Sequence, residues 1–75
     1  FSPNPANDKI KVEWVAATSG EIIIYDMNGR IYYSEDIFRL KYRWIDVSQF
    51  PSANYFITFK NKEGLISSKR LVIIN

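Results

Sequence analysis

Glu35 and Asp36 are the only adjacent carboxylates in this 75-residue sequence, and they come closest to a pair of groups for acid–base chemistry. The other acidic residues are scattered, and the chain contains neither histidine nor cysteine. Without those residues, a Ser-His-Asp triad, a Cys-His pair or a histidine-based zinc site cannot be built from this chain. Carboxylate chemistry or a hard-metal site remains open on composition. Because the acidic residues are scattered, we predict that the chain is not an enzyme and needs no metal and no cofactor.

A second candidate for chemistry is the segment FRLKYR, in which three cations alternate with three apolar residues. The cations are Arg39, Lys41 and Arg43, and the apolar residues are Phe38, Leu40 and Tyr42. Such interleaving can bind single-stranded nucleic acid. The same alternation is typical of a β-strand with one exposed face, and the net charge is only +2. We therefore predict a strand here and no nucleic-acid partner.

The sequence gives no sign of a membrane segment. No apolar run approaches the roughly 18–20 residues that cross a bilayer. No basic leader followed by an apolar stretch opens the sequence. We expect no transmembrane segment, and if the domain is exported we expect its leader on a longer precursor.

The elements that would position these residues are strands, because apolar residues recur at every second position almost throughout. Residues 9–15 are predicted to be one strand, and residues 16–20 a connector. Residues 21–25 and 30–34 are predicted to form a hairpin with a loop of two or four residues. An even loop places Ile22, Ile24, Ile31 and Tyr33 on one face. Gly29 then supplies the positive φ that the turn requires.

Further strands are predicted near 36–38, 42–47 and 55–60, and a last strand follows a turn that ends at Gly64. Pro51 lies in a turn cluster, and Ser67 and Ser68 indicate a bend or bulge in the last strand. No segment has the i, i+3, i+4 pattern of an amphipathic helix. The sequence thus predicts an all-β fold, a small antiparallel Ig-like β-sandwich of about seven short strands with no helix.

We predict a single domain over residues 1–75, with a proline-punctuated entry segment at 1–8 and the sandwich at 9–75. So short a chain needs large rings for burial, so most aromatic residues are predicted to lie in the core. These are Trp14, Trp44, Tyr25, Tyr33, Tyr55, Phe56 and Phe59. Tyr32 and Tyr42 are predicted to be the most exposed. The alternative is that several rings form a platform for a carbohydrate.

Four motifs follow one another along the chain, namely PNPAND, IYDMNGR, WIDVSQFPSANYFITF and GLISSKRLVIIN. In the first, two prolines fix their own φ and make a semi-rigid extended lead, which is typical of a segment joining two domains. Taken together, the order and spacing of the motifs resemble the C-terminal sorting domain of the type IX secretion system, also called the Por secretion system. The resemblance covers the chain from Pro3 to Asn75.

The resemblance maps the family's motifs onto particular positions of this sequence. They are Pro3, Asn4, Pro5, Asp26, Gly29, Arg30, Ile45, Asp46, Ser48, Pro51, Tyr55, Gly64 and Lys69. Two positions depart from the family. Ala53 stands where glycine is usual, so it must avoid a positive φ or bear a small strain. Asn75 stands where the family often ends in lysine or arginine.

The resemblance implies a secretion signal. Such a domain directs a larger cargo protein on the same chain through the periplasm and across the outer membrane of a Gram-negative bacterium, to the surface or the extracellular space. The implied partners are the outer-membrane translocon and a sortase-like peptidase, which commonly removes the domain and attaches the cargo to a surface anchor. The alternative is an Ig- or fibronectin-like accessory module that binds carbohydrate or protein for a secreted enzyme or adhesin.

The final strand is the predicted read-out element. Its candidate recognition residues are Lys69, Arg70, Leu71, Val72, Ile73, Ile74 and Asn75. At a sheet edge its backbone could pair with a partner strand, and Lys69 and Arg70 could steer it toward an acidic receptor. The alternative, which is compatible with the first, is that the final strand belongs to the core and that its basic first residues lie in solvent. A binding module instead predicts two or more exposed, coplanar aromatic rings.

Overall fold

The described strands form one antiparallel sheet. The computed structural model describes residues 8–75, so Pro3, Asn4 and Pro5 of the predicted entry segment lie outside the described residues. Within residues 8–75 there are four strands and no helix: β1 (Lys9–Asp26), β2 (Ile31–Asp46), β3 (Ala53–Asn61) and β4 (Ile66–Ile73). Their order across the sheet is β2-β1-β3-β4. The all-β, antiparallel prediction is confirmed.

The predicted count of about seven short strands is wrong, because long strands replace several short ones. Residues 16–20, predicted to be a connector, lie inside β1, which runs unbroken for 18 residues. The strands predicted near 36–38 and 42–47 are parts of β2, a single strand of 16 residues. Shifts in the pairing of β1 with β2 explain the loss of clean alternation at both places.

β1 and β2 must bend strongly, because neither fits into the molecule as a straight strand. At about 3.3 Å per residue, the 18 residues of β1 would span roughly 60 Å when extended. The longest dimension of the structure is 32 Å. One end of the β1–β2 pair, residues 9–13 with residues 42–46, therefore folds back over the rest of the sheet. We call these two paired segments the arm.

The bend lies where the β1–β2 ladder loses its register. Shifts occur between Glu13 and Thr18 and again between Thr18 and Gly20. Bulges of this kind bend a strand and increase its local twist. On β2, Arg39 takes a φ of +53°, and its N–H donates to Ser19 Oγ at 2.9 Å. The bend is thus built into the backbones of both strands.

An ion pair within β2 spans the bend. Arg43 Nε donates to both carboxylate oxygens of Glu35, at 2.9 and 3.1 Å, and Tyr33 OH donates to the same carboxylate. Glu35 and Arg43 are 8 residues apart, which in a straight strand is about 26 Å and beyond the reach of the two side chains. The pair can therefore form only in the bent strand, and it ties the arm to the main sheet.

The bend encloses a single apolar core between the arm and the main sheet. Alternate residues of β1 face this core, and Ile10 in the arm is as fully buried as Ile22 and Ile24 in the main sheet. Trp14 packs against Phe59 of β3, with ring centroids 5.2 Å apart. The other buried members of the core are Ile37, Ile45, Val47, Tyr55, Ile57, Leu71 and Ile73. One sheet therefore covers both sides of its own core.

The first hairpin has a three-residue loop rather than the predicted two or four. Asp26 N–H donates to Arg30 O and Gly29 N–H donates to Asp26 O, both at 3.0 Å. Gly29 has the predicted positive φ, +84°. An odd loop alone would place Ile24 on the face of Tyr32. A register shift between Ile24 and Tyr25 restores the pairing of Ile24 with Tyr33.

This bulge changes which side chains reach the core. Tyr32 and Tyr33 are consecutive, yet both pack against the core, whereas a regular strand would point them to opposite faces. Tyr32, predicted to be exposed, meets the ring of Tyr55 edge-on with centroids 5.2 Å apart. Ile31, predicted to share the buried face, is 60% exposed. Both predictions are wrong because they assume an unbulged ladder.

The second hairpin repeats the design of the first. Asn61 N–H donates to Leu65 O and Gly64 N–H donates to Asn61 O, both at 3.0 Å, and Gly64 has a φ of +86°. From there the β3–β4 ladder runs without a register shift to the pair formed by Ala53 and Ile73. The predicted bend or bulge at Ser67 and Ser68 is therefore wrong.

β3 leaves no room for a side chain at Gly20, and we expect Gly20 to be far less replaceable than Gly29. A Cβ at Gly20 would lie 2.3 Å from the backbone oxygen of Lys60, whereas one at Gly29 would meet nothing within 4 Å. We expect Gly20→Ala to lower the free energy of unfolding by about 3 kcal/mol. Gly29→Ala, which costs only backbone strain, should lower it by about 1 kcal/mol. Urea unfolding followed by tryptophan fluorescence measures both values, and equal costs would contradict the close approach.

We expect the ionised form of Glu35 to stabilise the bend. Hydrogen bonds from Arg43 hold the pKa of Glu35 below its ordinary value of 4.5. A group whose pKa is depressed in the folded state stabilises the fold above pH 4.5, and this contribution is lost as the pH falls through the folded pKa. Because both side chains are partly exposed, Glu35→Gln should cost only about 0.5–1 kcal/mol at neutral pH.

The measurement is urea unfolding of the parent chain and of Glu35→Gln between pH 7 and pH 3. The difference in unfolding free energy should shrink as the pH falls below 4.5. Asp36→Asn is the matched control, because Asp36 is the exposed neighbour of Glu35 on the same strand. A cost that is independent of pH, or one reproduced by Asp36→Asn, would rule out the ion pair as the tie across the bend.

Candidate functional site

The predicted read-out segment, residues 69–75, begins inside β4 and continues past its end. β4 is an outer strand in the order of the four described strands. Leu71 and Ile73 point into the core and are 0% and 1% exposed, whereas Ile74 is 58% exposed. Lys69, Arg70 and Asn75 are also exposed. The segment thus has buried anchors in the middle and surface groups at both ends.

The two cations at the start of this segment point to opposite faces of the sheet. Lys69 pairs with Ile57, whose side chain lies in the core, and Arg70 pairs with Phe56. Directly paired residues of an antiparallel ladder share a face, and successive residues alternate between faces. Lys69, Arg70 and Val72 each take part in a further interaction within the chain. Lys69 and Arg70 therefore do not form one continuous basic patch.

Asn75 ties the end of the segment to the connection between β2 and β3. Its backbone N–H donates to Ser52 Oγ, which donates in turn to the carbonyl of Asn75, each at 2.8 Å. Its side-chain amide donates to the carbonyls of Val47 and Phe50, at 3.0 and 2.5 Å. Asn75, which stands where the family often has lysine or arginine, therefore holds the chain end in place by hydrogen bonds.

Family-motif residues hold the connection that receives Asn75. Asp46 Oδ1 accepts hydrogen bonds from Ser48 Oγ at 2.6 Å and Ser48 N–H at 2.8 Å, and these bonds lower the pKa of Asp46. Tyr55 is 1% exposed, and its OH donates to Pro51 O at 2.6 Å. Burial raises the pKa of Tyr55. The connection is thus fixed at its start by a carboxylate and near its end by a buried ring.

Ala53, the other departure from the family, opens β3 without strain. Among residues 8–75, Arg39 is the one non-glycine residue with a positive φ. Ala53 therefore avoids the left-handed conformation that glycine would tolerate, which was one of the two outcomes expected for it.

The motif residues of the first hairpin form its turn. Asp26 Oδ1 accepts hydrogen bonds from the N–H groups of Asn28 and Arg30, both at 2.9 Å. In the second hairpin, Asn61 Oδ1 accepts the N–H of Leu65 at 2.9 Å in the same way. Sequence reasoning missed Asn61, although its spacing to Gly64 equals the spacing of Asp26 to Gly29.

The aromatic side chains lie in three places, namely the core, the opposite face of the main sheet and the exposed part of β2. Tyr55 is buried, and the half-buried rings of Trp14, Tyr32, Tyr33, Phe50 and Phe59 pack against the core. Tyr25 and Phe56 pair with each other, and their ring centroids lie 5.7 Å apart on the opposite face of the main sheet, so their assignment to the core is wrong. Tyr42 is 56% exposed, as predicted, but Trp44 is 44% exposed and its assignment to the core is wrong. Lys11 Nζ lies 5.0 Å from the ring centroid of Tyr42, and Lys9 Nζ lies 4.9 Å from that of Trp44. Lysine ammonium groups therefore cover ring faces that a carbohydrate ligand would need.

The carboxylates that first suggested chemistry do not form a reactive pair. Glu35 is bound by Arg43 and Tyr33, while Asp36 points to the other face of β2. The described residues contain no group of three or more histidine, cysteine, aspartate or glutamate side chains placed to hold a metal ion. Nor does any helix long and apolar enough to cross a membrane occur among residues 8–75.

A family model described as a secretion system C-terminal sorting domain matches residues 2–74. No curated protein and no solved structure matches the chain. The match takes in both hairpins and the connection between β2 and β3, so the resemblance drawn from the four motifs is confirmed.

We expect the side-chain amide of Asn75 to stabilise the connection between β2 and β3. Asn75→Asp removes both donated hydrogen bonds and sets a carboxylate against the carbonyls of Val47 and Phe50. It should lower the free energy of unfolding by about 1–2 kcal/mol at pH 7 and speed amide exchange in residues 47–52. Asn54→Asp, at an exposed position of β3, is the matched control. If the two changes have equal effects, the contacts of Asn75 contribute nothing.

Proposed function

The chain belongs to the family of secretion system C-terminal sorting domains. We propose that its bent sheet presents a rigid surface that the type IX secretion machinery recognises. Domains of this family are C-terminal sorting signals for type IX secretion. The signal therefore directs export toward the outer membrane or the extracellular space. The match over residues 2–74 is the observation that carries this function.

In our proposal the domain is the address of a larger cargo protein on the same chain. The cargo travels through the periplasm of a Gram-negative bacterium, and the outer-membrane translocon recognises the folded domain. A sortase-like peptidase then removes the domain, and a surface anchor replaces it. The domain itself performs no chemistry in this scheme. The absence of histidine and cysteine from the sequence is consistent with that role.

We further propose that the translocon recognises residues 69–75 together with the connection that binds Asn75. Support comes from how these residues are held. Leu71 and Ile73 anchor β4 in the core, and Asn75 is hydrogen-bonded to Ser52, Val47 and Phe50. Ile74 stands exposed between these two anchors. A surface fixed in this way loses little conformational entropy on binding, which favours recognition of its shape.

The remaining family-motif positions are proposed to act through the fold. Asp26, Gly29, Arg30 and Gly64 lie in the hairpin turns, and Asp46, Pro51 and Tyr55 lie at the connection between β2 and β3. We also propose the finer description of the fold as an Ig-like sandwich, with the arm as one layer, and the division into an entry segment and a folded unit. The accessory binding module is not favoured, because the family match concerns sorting.

The sorting function is tested by fusing residues 1–75 to a reporter that carries an inner-membrane export signal. The reporter is expressed in a host with an intact type IX system and in a strain that lacks the translocon. We expect the reporter on the cell surface only in the intact strain. Reporter retained in the periplasm of both strains, with the domain folded, would show that this sequence is not a sorting signal.

The recognition surface is tested separately with variants that spare the core. Ile74→Ser, Lys69→Gln and Arg70→Gln change exposed groups of the segment, whereas deleting residues 69–75 would also remove the buried Leu71 and Ile73. We expect at least one of the three to reduce surface display about tenfold with an unchanged circular dichroism spectrum. Lys41→Gln and Lys62→Gln are controls at exposed cations outside β4. Normal surface display of all three test variants would show that the translocon recognises another surface of the domain.

A further inference from the structure

One side of the arm carries no strand in the described part of the chain. β1 pairs with β2 along residues 9–13, but its pairing with β3 starts only at Gly20. The side of β1 that β3 occupies further along is therefore vacant over residues 9–19 of the described structure. Residues 20–26 of β1 thus have a strand on both sides, whereas the arm has β2 on one side and no described strand on the other.

The alternation of an antiparallel ladder identifies the backbone groups on this side. Val47 N–H donates to Asp8 O at 2.8 Å, which makes residues 8 and 47 a hydrogen-bonded pair. Bonded and non-bonded pairs alternate along such a ladder. The N–H and C=O groups of Lys9, Lys11 and Glu13 therefore point away from β2. A row of backbone donors and acceptors of this kind is a template for an added strand.

A partly apolar cleft lies beside this row. Its apolar lining residues are Val12, Trp14, Ile57 and Phe59, and its polar ones are Glu13, Ser67, Ser68 and Lys69. The cleft has a volume of about 240 Å³, which exceeds the roughly 150 Å³ cavity that holds a benzene ring. Side chains of a strand added beside β1 would point alternately into this cleft and onto the outer face. The cleft therefore favours an aliphatic or aromatic residue at every second position.

The outer face next to this row favours acidic residues at the other positions. Lys9 and Lys11 lie there over the exposed rings of Trp44 and Tyr42. Lys11 Nζ is 3.7 Å from Glu13 Oε2, so Lys9, Lys11 and Glu13, which would directly face an added strand, together keep one excess positive charge. Asp46, which pairs with Lys9 on the same face, lies on β2 and therefore one strand further from the partner. Opposite charges on neighbouring strands stabilise their pairing, and like charges destabilise it.

We propose that residues 9–14 are a strand-addition site for an extended partner segment in which apolar residues alternate with acidic ones. Main-chain hydrogen bonds to Lys9, Lys11 and Glu13 hold the partner, its apolar side chains enter the cleft beside Trp14, and its acidic side chains lie beside the two lysines. Apart from Lys69, which lines the cleft, this site lies outside residues 69–75. It does not depend on the proposed sorting function.

The test uses the 75-residue chain and a synthetic nine-residue peptide of alternating valine and glutamate with blocked ends. Peptide titration followed by amide NMR should shift the signals of residues 9–14 and of the Trp14 indole. The amides of Lys11 and Glu13 should become protected from hydrogen exchange. An otherwise identical peptide of valine and lysine should bind at least about tenfold more weakly. Equal binding of both peptides, shifts confined to β2 or β4, or no shift at millimolar peptide would overturn the proposal.

Variants at Lys9 and Lys11 separate the backbone and charge contributions. Lys11→Pro and Lys11→Gln both remove the ammonium group, but only proline removes the N–H that points away from β2, and proline is tolerated at such positions. Lys11→Pro should bind the valine–glutamate peptide at least about tenfold more weakly than Lys11→Gln. The double variant Lys9→Glu, Lys11→Glu should reverse the preference in favour of the valine–lysine peptide. If Lys11→Pro fails to fold, the peptide preference of the double variant tests the proposal by itself. A double variant that still prefers the valine–glutamate peptide would overturn the proposal.

Discussion

The bend in β1 and β2 is the constraint on which the rest of this structure depends. Two long strands that curl over themselves can supply both sides of a core. The shifts of register between Glu13 and Gly20 provide the curvature, and the contact of Arg43 with Glu35 closes it. Ile10 and Ile45 are buried only because the arm lies over the main sheet.

The motif residues on which the resemblance to the family rests lie chiefly at the turns of this sheet. Asp26 and Gly29 form one hairpin turn, and Gly64 forms the other together with Asn61, which is not a motif position. Tyr55 holds the connection that binds Asn75. Side chains that fix turns also fix the relative positions of distant surface groups. A sorting signal built in this way can be specified by the geometry of the fold as much as by any one exposed residue.

Local alternation is enough to predict the strand type of the fold and, together with the need of a short chain for large buried rings, much of its core, including Ile22, Ile24 and Tyr55. It was not enough where two irregularities offset each other. The odd loop of the first hairpin and the bulge after Ile24 together restore the pairing with Tyr33, so neither is visible in the pattern of apolar residues. The bend at residues 14–19 resembles a connector because bulges and breaks both interrupt alternation. The bonds of Asn75 could not be predicted, because they join residues that are adjacent only in the folded chain.

The pairing of β1 with β3 has a consequence for the time the chain takes to fold. Gly20 pairs with Asn61 and Asp26 with Tyr55, so the centre of the sheet joins segments roughly 30 to 40 residues apart. The β1–β2 hairpin forms locally but is marginal by itself. The hairpin becomes stable only after β3 has paired with the free side of β1. Sheets dominated by such distant pairings fold in milliseconds to seconds, so the domain would spend that interval with its apolar strands uncovered.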